Sequence, residues 1–513
     1  MRRILPVVLW LAILPMPASA STQQAQTPAS RAGDADAYYL FMLARHLENA
    51  GDVKAAIATL QRAIRIQPES AELRAELASI YARQNMAIDA LDTADQALEL
   101  NPDNREANRL VGSIYAALAD QKRPLRPGED PSGYPAKAIA ALEKARHPQR
   151  MDLGLDLALG RLYLRAGRHE AAIEPLLRVF EQQPQYSEGG MLLAAAQEEL
   201  GRIGQAIDTL EGTLQANPTF FRAQVRLIEL YERSRRWKDA ADAYGKAQAL
   251  NPSADLTGGR AAALINAGAA REAQALLEAA LGKSSAPDAS LLYLLAEAQR
   301  QAKDLDGASA TARRLRTAFP DDVRGLVIEG QLQLARGQQG EALKTFAGLV
   351  SRVPDEPQFA YQYAQLLEED GRVAEAERVL RSLLERDPDD ANALNALGYM
   401  FAERGERLDE AVDLLTRALK IEPGNASFLD SLGWAYFKQG QLAAAEKPLA
   451  EAAAKMPANS VIQDHLGDLR FRQQRYADAV TAWERALAGD GESIDRAVIE
   501  KKLGEARRFV DRR

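Results

Sequence analysis

A spacing of 34 residues runs through this chain of 513. Residues 426–459 show it most plainly. Leu429, Leu432, Gly433 and Tyr436 fall on one face of a first amphipathic helix, and Ala445, Leu449 and Ala452 on one face of a second. Gly433 and Ala445 stand where the two helices must cross closely, because a large side chain there would push the axes apart. Gly440 stops the first helix and Pro457 the second. A chain made of such pairs buries a continuous core by stacking each pair on its neighbours.

Most of the chain registers on this unit. Residues 37–70 place Leu43, Gly51, Ala56, Leu60 and Pro68 at the corresponding positions, and 71–104 place Leu77, Tyr81, Ala90, Ala97 and Pro102. In the third unit the second helix arrives about fourteen residues late, after an insertion at 121–135 that holds four prolines and two glycines and so cannot be regular helix. Such an insertion maps to a loop on one face of a stack, either a binding face or a tolerated surface loop. A degenerate unit around Gly268 leads into a linker-like stretch at 282–288, which is where a hinge falls if the array has one. Thirteen units are counted, in arrays at 36–281 and 289–492. A last helix, within 493–513, carries Ile494, Val498, Leu503 and Phe509 on one side and Lys501, Lys502, Arg507 and Arg508 on the other, and is expected to cap the array.

The start of the chain has another character. Arg2 and Arg3, an apolar run from Ile4 to Met16, and Ala18-Ser19-Ala20 have the three parts of a secretory signal peptide cleaved after Ala20. The run is short for a bilayer span, and an uncleaved anchor is the alternative. Residues 21–35, rich in Ser, Thr, Gln, Ala and Pro, read as a flexible lead-in. With no cysteine there is no disulfide, no thiol nucleophile and no acceptor for a lipoprotein lipid, so a periplasmic protein with no transmembrane segment after cleavage is expected. The formal charge is −8, and −10 without the leader, which argues against nucleic acid as a partner.

The four histidines, His46, His147, His169 and His465, lie in four different units, and no pair has metal-site spacing. No H-E-x-x-H, G-x-S-x-G, phosphate loop or dinucleotide fingerprint occurs. The insertion offers Lys122, Arg123, Arg126, Glu129, Asp130, Ser132 and Tyr134 but no histidine. Neither an enzyme, a cofactor nor a metal is expected.

The order L-x2-L-G-x2-Y, then A-x3-L-x2-A, then P resembles the tetratricopeptide repeat, and the resemblance covers nearly all of 36–513. It implies an all-α, right-handed solenoid of tandem helix-turn-helix units. In that family the first helices line a concave groove for extended peptides or a partner's helix. Projecting the inward positions of the family gives Tyr361 and Gln365, then Asn392, Asn395 and Tyr399, then Asp430, Trp434, Phe437 and Lys438, and last Asp464, Asp468, Phe471 and Arg472. Rings there would supply area at low entropy cost, and amides would pair with a peptide backbone. The other reading is that Trp434 and Tyr399 pack against the next repeat. Middle repeats offer Arg222, Glu229, Glu232 and Arg233, a charged and less adhesive wall.

The stretch from Ala393 through H-L-G-D at His465 is also similar to exported proteobacterial members of the family. That similarity implies an envelope scaffold or adaptor for protein partners. The alternative it leaves open is a component of polysaccharide synthesis or export that contacts glycan through the same rings.

Overall fold

The computed structural model describes residues 28–511 apart from 123, 148, 284, 285, 492 and 493. The leader at 1–20, residues 21–27 of the lead-in, Arg123 of the insertion, Ser284 and Ser285 of the linker-like stretch and Ser493 lie outside the described residues. Among the described residues 27 α-helices follow one another with no strand. They form thirteen consecutive pairs, from Pro28–Asn49 with Val53–Ile66 to Ser460–Arg472 with Tyr476–Ala488, and then the helix Arg496–Val510. This is the tandem helix-pair architecture read from the spacing. The first helix begins at Pro28, ahead of Asp36 where order was expected to start. Proline is favourable in a first helical turn.

The chain divides into two compact units, one ending at Ala254 and the other beginning at Asp255. The stretch at 282–288 falls inside the second, between Ala270–Lys283 and Ala289–Gln301.

Within a pair, small residues set the distance between helices. A Cβ placed on Gly433 would stand 2.5 Å from Leu449 Cγ and 3.1 Å from the Leu449 backbone nitrogen, and both Ala445 and Leu449 are fully buried. Gly440, at φ 79°, ends the first helix in the left-handed region, where its N–H meets Phe437 O and the Gln441 N–H meets Tyr436 O. The last three first helices open on side-chain caps: Asp390 accepts from the Ala393 N–H, Asn425 from those of Ser427 and Phe428, and Asn459 from that of Ile462.

Successive pairs of the second unit are also tied outside the core. Arg352 donates to the Pro320 carbonyl at 2.5 Å, Arg386 to that of Pro354, and Arg417 to that of Pro388 at 2.8 Å. Each guanidinium thereby sits over the turn that follows the preceding pair, near the negative end of its second helix.

The described residues of the insertion form a loop with a short turn of helix. Helix Arg105–Gln121 ends at Lys122 in the left-handed region, a 3-10 turn forms at Pro131–Gly133, and the next helix opens at Tyr134. Tyr134 is fully buried, its hydroxyl accepts from the Leu125 N–H at 2.9 Å, and its ring lies 5.2 Å from that of Tyr115.

The last helix caps the array as expected, but in a different rotation. Ile499, Leu503 and Ala506 are buried, while Val498, expected on the apolar side, is 47% exposed. Lys502, expected to face water, turns inward onto Asp464 and Asp468. The two carboxylates of the last pair draw Lys502, and with it the helix, into this rotation. Among the described residues no helix is long and apolar enough to cross a membrane.

Candidate functional site

Four first helices of the second unit carry the residues projected onto the groove: Pro357–Glu369, Ala391–Arg404, Ala426–Lys438 and Ser460–Arg472. Their side chains separate into two sets.

One set is spent on packing between repeats. Asp430 is 5% exposed, and both its oxygens lie on His465 Nδ1, at 3.0 and 3.1 Å. The imidazole stacks on Trp434 with centroids 4.0 Å apart, and Trp434 stacks on Phe437 at 4.8 Å. The Trp434 Nε1–H donates to Glu403 at 2.7 Å, which leaves the indole 7% exposed. Trp434 is therefore held in the seam between repeats. Burial by itself would depress the His465 pKa; the carboxylate of Asp430, helped by Asp464 and Glu403, outweighs it and raises the value above 6.5.

Asp468 belongs to the same set. Lys502 Nζ bridges it at 2.8 Å and Asp464 at 3.0 Å. Burial and the nearby Asp464 hold the Asp468 carboxyl above its ordinary range despite the ammonium. Phe471 packs among Tyr476, Trp483 and Phe509, with centroids 5.3 to 5.9 Å away.

The second set remains partly open to solvent. Asn392 and Arg472 are exposed, and Tyr361, Asn395, Tyr399, Phe437 and Lys438 are half-buried. The Tyr361 hydroxyl donates to Asp390, the cap of the next helix, so its ring is fixed. Lys438 Nζ lies 5.0 Å from the Trp434 ring and the Arg472 guanidinium 5.6 Å from the Phe437 ring. The Asn395 Oδ1 is enclosed and has no hydrogen-bond partner among the described residues. One turn further along the same helix, the Tyr399 hydroxyl makes no hydrogen bond among them either. Burial, with Glu403, Asp430 and Glu368 around it, pushes that phenol's pKa upward, so it stays a neutral donor. Burial likewise raises the Glu368 carboxyl, with Glu403 and Glu369 adding to the effect.

His465, Glu403, Glu368 and Lys502 are the residues that the projection missed. For His465 a signal existed. It lies 35 residues from Asp430, one repeat and one position on, so the two can meet across the seam. Among the described residues no group of histidines and carboxylates is placed to hold a metal. The open set holds an unpaired amide oxygen, a free phenol and partly exposed rings.

Comparison with known proteins agrees with the repeat reading. Family profiles described as tetratricopeptide repeat match residues 132–187, 191–255, 259–323, 329–391 and 364–426, and a second profile of that description matches 47–114 and 404–469. The chain is 28% identical over 165 residues to the TPR repeat-containing protein PA4667 of Pseudomonas aeruginosa, 32% of this chain and 28% of that one. It is 27% identical over 378 residues to cellulose synthase operon protein C of Xanthomonas axonopodis pv. citri, 70% of this chain and 23% of that one. The matches thus span less than a third of these relatives' own length. A tetratricopeptide repeat protein from Parabacteroides merdae aligns with 49% of this chain and 97% of its own at 18% identity and a TM-score of 0.41. The Cut9-Hcn1 hetero-tetramer of APC/C aligns with 92% of this chain and 96% of its own at 14% identity and a TM-score of 0.39.

Proposed function

From the premise that the chain belongs to the tetratricopeptide repeat family, we propose that it is a protein-binding scaffold of the cell envelope, whose second unit holds a partner segment along its first helices. The observation that carries this reading is the unpaired Asn395 Oδ1 beside the free Tyr399 hydroxyl. An enclosed carbonyl left unpaired costs about 1–3 kcal/mol, which the half-buried Asn395 amide would recover by turning outward onto a peptide N–H laid along the helix. The phenol one turn away can donate to a carbonyl of the same peptide. Phe437 and Lys438 supply apolar area and charge on the neighbouring helix. The arrangement needs no reaction, only side chains held rigid by repeat packing.

The test is crosslinking of the mature chain in cells, with Asn395→Leu/Tyr399→Phe as the control and unchanged helicity as the condition. Proteins captured by wild type and lost in the variant are expected. Equal capture by both would remove the site from these helices.

A periplasmic location rests on the leader at 1–20. Fractionation and N-terminal sequencing should give a periplasmic chain that starts at Ser21, and a cytoplasmic chain that keeps its leader would end that part of the proposal. A second reading, contact with glycan, is favoured by the long match to cellulose synthase operon protein C. Calorimetric titration with cello-oligosaccharides separates the two, since heat lost in the Asn395/Tyr399 variant would move the assignment from peptide to sugar.

A further inference from the structure

The insertion at 121–135 does more than cover a gap between helices. Its Pro124 and Leu125 line a cavity of about 680 Å3 in the first unit together with Met86, Ile88, Ile114 and Leu118, and Asp89 stands among the polar residues of the lining. The insertion's part of the lining is held in place, because the Leu125 N–H is bonded to the buried Tyr134 hydroxyl and Arg126 is paired with Asp92. Met86 and Ile88 are 40% and 44% exposed, which is unusual for two large apolar neighbours on a preformed concavity. A lone surface apolar residue needs no explanation; a walled pocket of them does.

The surroundings say what would fill it. The helix Ala87–Leu100, which borders the cavity, carries Asp89, Asp92, Asp95 and Glu99 and no basic residue. Arg126 neutralises Asp92, while Asp89, Asp95 and Glu99 have no ion-pair partner among the described residues. Partial desolvation and the neighbouring Asp92 push the Asp95 carboxyl above its ordinary value, and Arg126 and Lys137 only partly reverse this, so among the described residues the row is short of cations. We infer that the insertion builds a second docking site, which takes an apolar side chain from a basic segment of a partner protein. Apolar burial in the cavity supplies affinity, and lysines or arginines beside the anchor complete the row of carboxylates. The site is independent of the Asn395 and Tyr399 surface.

Two labelled amphipathic peptides test it on the full mature chain by fluorescence anisotropy. Both carry leucines one helical turn apart, one with lysines and the other with glutamates at the remaining positions. The leucine-lysine peptide is expected to bind and to weaken with added salt, and the leucine-glutamate peptide is expected not to bind. Ile88→Asp should weaken the first about ten-fold or more, and Asp89→Lys should weaken it and flatten its salt dependence. Both positions are exposed, so unchanged melting of the variants is expected and is checked alongside. Tyr399→Ala should leave this binding intact, which keeps the two sites separable. Undiminished binding to Ile88→Asp, equal binding of the glutamate peptide, or no binding of the lysine peptide would each overturn the inference.

Discussion

The imidazole of His465 lies parallel to the Trp434 indole, 12° between planes and 4.0 Å between centroids, with its Nδ1 on the Asp430 carboxylate. One buried residue thus joins two repeats through a ring contact and an ion pair together. Because Asp430 raises the His465 pKa, the charged form is favoured in the folded state, with Asp464 and Glu403 acting in the same direction.

The sign of the resulting pH dependence follows. A histidine raised by folding stabilises fully below its unfolded value of about 6.5, and that contribution is lost as pH rises through the higher native value. The second unit should therefore melt at a lower temperature as pH rises above about 6.5, and the His465→Phe variant should lose that slope. His465→Phe alone also leaves Asp430 buried without its partner, a cost of about 3–5 kcal/mol, and adding Asp430→Leu should recover much of it. Calorimetry across pH checks both; an unchanged slope in His465→Phe would mean that another group titrates.

Gly433 allows the closest approach in its pair. With Leu449 Cγ 2.5 Å from the position of a new Cβ, Gly433→Leu should cost about 1–3 kcal/mol by overpacking. Combining it with Leu449→Ala should return part of the loss. A single variant that melts with wild type would contradict the close crossing.

Lys502 holds the last helix onto the last pair. Lys502→Met leaves Asp464 and Asp468 facing each other without a cation, so hydrogen exchange in Arg496–Val510 should quicken by about 1–3 kcal/mol of lost protection near neutral pH. Because the Asp468 carboxyl is already raised, it protonates first on acidification, and the difference from wild type should shrink toward acid pH. A pH-independent difference would show that packing, not charge, is what was lost.

Gln474 occupies the turn position that Gly440 fills one repeat earlier, at φ 62° against 79°. A side chain in that region costs about 1–2 kcal/mol, part of which glycine's greater unfolded-state freedom takes back, so Gln474→Gly should stabilise by about 0.5–1 kcal/mol. Chemical denaturation of the two proteins decides it.

The helix pairs were legible because apolar spacing sets their faces, and Gly433 was legible as a point of close crossing, though the side chain that meets it is that of Leu449 and not Ala445. The open half of the site was legible for the same reason, since Asn395 and Tyr399 sit one turn apart on one helix. What the register could not supply is where a long side chain ends. Trp434 starts at a groove position, but its indole reaches back to Glu403 and across to His465, and that depends on a residue one step out of register with Asp430. The rotation of Arg496–Val510 escaped likewise, since it follows Lys502 toward two carboxylates and not the apolar positions alone.

The arginine bonds to Pro320, Pro354 and Pro388 all run the same way, from a later pair to the turn before it. They add a one-way tie to a stack in which the second helix of each pair already packs on the first helix of the next. Removing a pair from the C-terminal side strips a preceding turn of its donor and leaves a carbonyl to be met by water. Removing one from the N-terminal side frees only a guanidinium that is already near solvent. Fraying from the two ends is thus not equivalent, and the chain is latched like overlapping tiles, each held down by the one laid after it.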